Sequence, residues 1–242
     1  MAIEHRLALS IFSATEDVRC SCGKVVDNCG FLLLLCMCDG NPERTHIHDA
    51  VRDEVANFCK ACDLNARVYK EEQVDPGVSR RRNDVEISGW NEGGGDLWLD
   101  VVTVVPMKQD TVNAASVVAG VAATNAEGRK DAKYLDLVRS TEPRPTFVPL
   151  AWETGGRWGD KATRFFRGAV GRMGGTRSEK ASFLSYWMLR FSVRFVKAVV
   201  GARSRREARF SAAGDRSSRT ALVFEAFFAE PEASPFPVRG DP

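Results

Sequence analysis

The chain has no long hydrophobic run. Its longest strongly apolar stretch, Phe31 to Cys38, is eight residues, whereas a helix crossing a bilayer needs about 20, so membrane spanning is excluded. Arg6 followed by Leu7 to Ala14 has the outline of a signal sequence, but Ser10 interrupts it and no A-x-A-like cleavage site follows. Secretion is therefore not expected. An even set of cysteines is missing as well. The seven cysteines are odd in number and five of them, Cys20, Cys22, Cys29, Cys36 and Cys38, fall within nineteen residues, which suits metal binding in a reducing compartment better than a disulfide framework. Net charge is only +2, so the total identifies no partner, and there is no internal repeat. What is present is ordinary: 44% hydrophobic residues over 242 positions exclude a fully disordered chain and fit one large domain, or one domain with appendages.

The distribution of charge says more than its sum. Between Asp39 and Asp110 lie fifteen acidic and nine basic side chains, net −6, and between Arg157 and Arg209 fourteen basic and three acidic, net +11. An acidic middle followed by a basic helical stretch fits a protein that holds cations with one part and polyanions with the other. A solvated helix face with an arginine bias would give the same count.

Residues 1–45 are cysteine-rich and short of periodic structure, and read as a small appended module. Helical spacing begins near His48 and holds through Ala50, Val51, Val55, Phe58 and Cys62. Ala66 to Tyr69 reads as a short strand. In Asp84 to Ser88, Val85 and Ile87 share one face and the polar residues the other. The glycine-rich loop from Gly89 to Asp96 then leads to a second strand, Leu97 to Val105, which is apolar on both faces, hence central, and closed by Pro106. Thr111 to Arg139 reads as one long alanine-rich helix in spite of Gly120 and Gly128. Thr146 to Thr154 is a strand whose Pro149 argues for an edge or a bulge. Helices follow at about Asp160 to Met173 and Glu179 to Arg209, and residues 212–242 read as a disordered or loosely attached tail. This order describes an α/β core. Cys59 and Cys62 match C-x-x-C but lie within a helical pattern, and are read as core cysteines rather than a redox pair.

Asp100 is the most informative residue. Its neighbours Leu99, Val101, Val102 and Val104 leave it no solvent-facing side, and an isolated buried carboxylate costs several kcal/mol unless it is protonated, paired or bound to a cation. If the two strands around the glycine loop are antiparallel neighbours, Asp84 or Glu86 approaches Asp100, and clustered carboxylates are how hard cations such as Mg²⁺ are held. The bland alternative pairs Asp100 with one of Arg80, Arg81 or Arg82. Lys130 and Lys133 continue the stripe Ala115, Ala119, Ala122, Ala126 into the last turns of the helix. Cations are welcome near a helix C-terminus, but a lysine aimed at the carboxylates could orient a nucleophile and stabilise charge developing on a phosphate.

Several stretches, taken in order, carry a resemblance. They are Cys20-Ser-Cys22-Gly23, Leu34-Leu35-Cys36, Thr45-His46-Ile47-His48-Asp49 through Asp53, Leu99-Asp100-Val101 with Thr103 to Pro106, Arg129-Lys130-Asp131-Ala132-Lys133-Tyr134, and Phe147 to Leu150 with Glu153 to Gly159. The chain resembles the restriction-like endonuclease domain, of the PD-(D/E)xK type, at the C-terminus of some non-long-terminal-repeat retrotransposon reverse transcriptases. The likeness covers about residues 20 to 190. It implies a PD-(D/E)xK nuclease-like core, a mixed central sheet flanked by helices, over residues 46–175, an N-terminal cysteine-rich knuckle, and a basic helical extension over 176–211. It further implies Asp84 and Asp100 as ligands of Mg²⁺ or Mn²⁺, and Lys130 or Lys133 as the catalytic lysine.

The pattern departs at Asn83, where the family has proline, at Val102, where the motif name places lysine, and at Phe31, where the knuckle has histidine. Zinc is expected on Cys20, Cys22, Cys36 and one of Cys29, Cys38, His46 or His48. The expected activity is metal-dependent nicking of DNA, the alternative being an inactive, zinc-dependent nucleic-acid-binding module. Arg80, Arg81, Arg82, Arg190, Arg194 and Lys197 are the candidate phosphate contacts. The resemblance implies DNA and a reverse transcriptase or its RNA complex as partners, while the chain itself shows no polymerase-like stretch, and the expected location is intracellular, nuclear in a eukaryote.

Overall fold

The computed structural model describes residues 19, 20, 22–25, 36, 42–62, 68–70, 83–91, 93–108 and 111–213. In chain order these form α1 (Pro42–Ala61), β1 (Val68–Lys70), β2 (Val85–Ile87), β3 (Leu97–Val104), α2 (Val112–Val117), α3 (Val121–Ser140), β4 (Thr146–Glu153), α4 (Asp160–Arg172) and α5 (Arg177–Ala213). The strands make one sheet in the order β1-β2-β3-β4. The first two pairings are antiparallel and β3–β4 is parallel. A tight turn cannot join parallel neighbours, and α3 supplies the crossover.

Alternation along the strands sorts the side chains into two layers. Val85, Ile87, Leu97, Leu99, Val101, Leu150 and Trp152 join Ile47, Val51 and Val55 of α1, Ala162 and Phe166 of α4, and Trp187 and Phe191 of α5 in the main core. At its centre the ring of Phe58 lies 4.8 to 6.3 Å from those of Phe165, Phe166, Phe183, Trp187 and Phe191. Burying such a ring contributes about 1.5–3 kcal/mol. On the opposite face Ala123 and Ala126 of α3 pack on Ala151, with Val102 and Val104 alongside. Side chains this small let the helix lie close to the sheet, which carries the following turns of α3 over β3. The result is a small mixed α/β domain, its sheet flanked by helices, with an N-terminal cysteine cluster and ion-paired C-terminal helices. No helix among the described residues is long and apolar enough to cross a membrane.

Several expectations change in detail. The first helix begins at Pro42 rather than near His48, because proline, lacking an N–H, suits the first helical position. The long helix expected over Thr111 to Arg139 is two. Gly120 adopts φ +86°, ends the connection from α2 and starts α3, and a Cβ there would meet Arg157 Nε at 2.6 Å. Gly128, by contrast, sits inside α3 without interrupting it. β4 lies at the end of the sheet, as Pro149 suggests, and β3 lies between two neighbours. α5 starts at Arg177, where Glu179 accepts from the Thr176 amide at 2.7 Å and donates its own to the Thr176 hydroxyl at 3.3 Å, a reciprocal cap. Cys59 and Cys62 are buried in the main core. Burial pushes the Cys62 thiol up to about 12 and that of Cys59 well above its ordinary value, so both pack as apolar groups. The expected tail lies outside the described residues from 214 onward.

Candidate functional site

Two constellations gather polar side chains, and among the described residues the first alone brings three ligand atoms within reach of one metal ion. The first is the cysteine turn. Arg19 and Val25 form an antiparallel bridge, and Gly23, at φ +81°, donates its amide to Cys20 O at 2.7 Å. This turn places the two cysteines of Cys20-Ser-Cys22 side by side. Cys36 Sγ lies 3.4 Å from Cys20 Sγ and 3.4 Å from Cys22 Sγ, and all three sulfurs are within 4.8 Å of one another. Sulfurs bound tetrahedrally at about 2.3 Å to one zinc ion would stand about 3.8 Å apart, so the thiols fit a structural zinc site. Cys29 and Cys38 lie outside the described residues. His46 is exposed on α1 and does not belong to the cluster.

The second constellation is built on β2 and β3. Val85 pairs with Leu99, so the next step along the ladder sets Asp84 beside Asp100. Asp84 donates its amide to Leu99 O at 2.9 Å, and its Oδ2 accepts the amide of Val101 at 2.6 Å. Glu86, the other carboxylate on this side of β2, accepts instead from Asn83 Nδ2 at 3.0 Å. Asp100 is 2% exposed. Its Oδ1 accepts from the Tyr134 hydroxyl at 3.1 Å, and its Oδ2 lies 2.6 Å from Lys130 Nζ. That ion pair is off the direction of a good hydrogen bond, so Oδ2 is buried with no hydrogen-bond partner among the described residues. Lys130 and Tyr134, four apart on α3, share a helix face and arrive together. Lys133 points elsewhere, exposed, its ammonium 5.2 Å from the centre of the Tyr134 ring. His48 reaches in from α1, its Nε2 3.2 Å from Asp84 Oδ2.

The electrostatics follow from this packing. Burial raises the pKa of Asp100. The charge of Lys130 opposes the rise, that of Asp84 adds to it, and the close approach of Lys130 with the Tyr134 hydrogen bond opposes it again, leaving a net upward shift. For His48, burial pulls the pKa down, but hydrogen bonding and charge at Asp84, then at Asp49, outweigh it and the net direction is up. Two carboxylates side by side are donors of the kind a divalent cation uses, but Asp100 Oδ2 already has the Lys130 ammonium at 2.6 Å, and no third histidine, cysteine or carboxylate among the described residues completes a metal-holding group with them. The side chains of His48, Asp84 and Lys130 are 30%, 13% and 25% exposed, so the cluster opens to solvent on one side.

The candidate phosphate contacts are dispersed. Arg80, Arg81 and Arg82 lie outside the described residues. Arg190 turns inward, pairing with buried Glu54 of α1 and lying 5.2 Å from the centre of the Trp187 ring. Arg194 is exposed and Lys197 half-buried on the same helix. Two participants escape a reading of the sequence alone. Tyr134 supports Asp100, and its signal is the four-residue spacing from Lys130. His48, read from the sequence only as a possible zinc ligand, faces Asp84. No family model matches the chain, and neither does any curated protein.

Proposed function

We propose that the chain is a metal-dependent DNA endonuclease domain that nicks phosphodiester bonds, similar to the restriction-like domains of target-primed retrotransposons. The observation that carries this reading is the meeting of Asp84, Asp100 and Lys130 over the two inner strands, beneath α3, where Asp84 and Lys130 stay partly open to solvent. Its mixed sheet with helices on both faces is the kind of core the resemblance implies. A divalent cation held by Asp84 and Asp100 would supply Lewis-acid stabilisation of the phosphate and lower the pKa of water. Lys130 brings a fixed positive charge to the same cluster, where it stabilises the charge that builds on the phosphate oxygens. Tyr134 fixes the Asp100 carboxylate through Oδ1, and the Val101 amide fixes that of Asp84.

A second reading is favoured by a separate observation, the three converging cysteines: an inactive, zinc-dependent nucleic-acid-binding module. One experiment separates the two. Supercoiled plasmid is incubated with Mg²⁺ or Mn²⁺ and the wild type, Asp84→Ala, Asp100→Asn or Lys130→Ala proteins. The endonuclease reading expects nicking by the wild type and a loss of about 10²–10³-fold or more in each variant. Absence of nicking under all conditions, with plasmid retained by the zinc-loaded protein and released on zinc removal, supports the binding module instead.

A further inference from the structure

We propose that the cleft between α4 and the open edge of β4 takes an unpaired nucleotide of a nucleic-acid strand, its base laid against an aromatic wall and its phosphate on Arg164. The inference goes beyond nicking, because it uses neither Asp84 nor Asp100 and needs no divalent cation.

The shape and lining of the cleft come first. Its volume is about 330 Å³, within the range of sites that take small ligands. Trp90, Phe147 and Phe165 line it together with Lys161, Arg164 and Gly168, and no carboxylate among the described residues does. Two of the rings are steadied by neighbours. The Arg172 guanidinium lies 3.7 Å from the centre of the Trp90 ring and donates through Nη1 to the Trp90 carbonyl at 2.9 Å, and the Tyr134 ring stacks on Phe147 at 4.5 Å. A base set against rings already held in place gains stacking whatever its identity. Gly168 is exposed on α4, and a Cβ there would meet nothing within 4 Å. Its missing side chain answers no packing demand and leaves that wall of the cleft open.

The strand edge supplies polar contacts. Thr146 donates its amide to Asp96 O on the β3 side, whereas Ala151 O and the Glu153 amide bond on the open side, to Gly159 and Arg157. Alternation therefore turns the N–H and C=O of Phe147 to the open side. An adjacent donor and acceptor of this kind match the Watson–Crick edge of an unpaired base. A peptide adding as a further strand is less well served, because Pro149, next in the outward series, has no N–H to give. Charge also selects a nucleotide. Positions 161 to 180 hold six basic side chains and one acidic. Lys161 is engaged by Asp131, and Arg164 stands exposed at the cleft, placed for a phosphate.

The test uses the full, zinc-replete chain in buffer free of Mg²⁺ and Mn²⁺, so its outcome is independent of the nicking reading. Fluorescence anisotropy measures binding of a labelled oligothymidylate and of the same strand with abasic sites in place of its bases, and circular dichroism checks that each variant is folded. The wild type should hold the base-bearing strand about tenfold tighter than the abasic one. Gly168→Leu, which fills the cleft, should lose that preference while keeping the abasic affinity. Arg164→Ala should weaken both strands alike by about threefold, and Arg139→Ala, which removes an exposed cation from α3, should weaken them less. One measurement needs no substitution: photo-crosslinking of the wild type to a strand carrying 5-iododeoxyuridine should place the adduct on Trp90, Phe147 or Phe165. The proposal is overturned if the wild type binds neither strand or both equally, if folded Gly168→Leu keeps the preference, if Arg139→Ala weakens binding as much as Arg164→Ala, or if the adduct lies only on other residues.

Discussion

Glu54 with Arg190 and Asp100 with Lys130 are both buried carboxylates facing a cation, yet they are built differently. Glu54 lies in the seam between α1 and α5, where Arg190 meets it with a guanidinium that also contacts the Tyr186 hydroxyl at 3.4 Å and the face of Trp187. Hydrogen bonding to Glu54 raises the Arg190 pKa above its ordinary value despite partial burial. That pair ties two helices together. Asp100 instead has one oxygen on Tyr134, the other on an ammonium outside good hydrogen-bond direction, and a second carboxylate next door. The difference teaches that burial of a charge pair does not by itself distinguish structure from site. What distinguishes them is whether the local partners complete the pair.

Three substitutions bear on this contrast. Arg190→Ala leaves Glu54 charged and buried, and should destabilise the fold by about 3–5 kcal/mol in denaturant titration. A loss below about 1 kcal/mol would mean that the helix seam tolerates an unpaired carboxylate. Asp100→Asn should behave in the opposite way in zinc-replete, magnesium-free buffer. Because the folded state holds the Asp100 proton more tightly than the unfolded chain does, wild-type stability is lost as pH rises from the ordinary carboxylate range through the raised pKa. The melting temperature of the variant should therefore match the wild type at acid pH and equal or exceed it at neutral pH. A variant that melts well below the wild type at pH 7 would class Asp100 with Glu54. The smallest effect belongs to Lys133→Ala, which removes an exposed cation over an aromatic ring and should change stability by no more than about 0.5 kcal/mol. A plasmid-nicking defect in Lys133→Ala larger than that of Lys130→Ala would reverse the roles assigned to the two lysines.

Asp100 is legible in the sequence because a carboxylate amid valines and leucines admits few explanations, and the alternation of Asp84 to Ser88 places its neighbour. The cysteine spacing likewise marks a cluster of five, from which the resemblance picks out Cys20, Cys22 and Cys36. Which lysine reaches Asp100 is not legible, since Lys130 and Lys133 both continue the alanine stripe and only the distance of α3 from the sheet chooses between them. The break at Gly120 is hidden for a related reason. Glycine costs only about 1 kcal/mol inside a helix, and the break shows only in the fold, where Val118 turns extended and Gly120 takes φ +86° with Arg157, thirty-seven positions later, where a Cβ would stand. His48 is obscured by its own chemistry, because a histidine shortly after a cysteine cluster has the credentials of a zinc ligand. Arg190 shows the reverse error of pattern reading: an arginine in a basic helix reads as surface, while its partner Glu54 lies 136 residues earlier.

The parallel pairing of β3 with β4 has a consequence for when the site comes into being. Asp84 and Asp100 are joined by a short glycine loop and can meet as soon as that hairpin closes. Lys130 and Tyr134, however, ride on the crossover helix, whose alanines pack on Ala151 of β4 as well as beside Val102 and Val104 of β3. Closing so distant a pairing is slow compared with closing a hairpin. The two acids thus depend on the shorter closure and the lysine that faces them on the longer one, so a chain that has not completed its crossover is expected to carry the paired carboxylates without their cation.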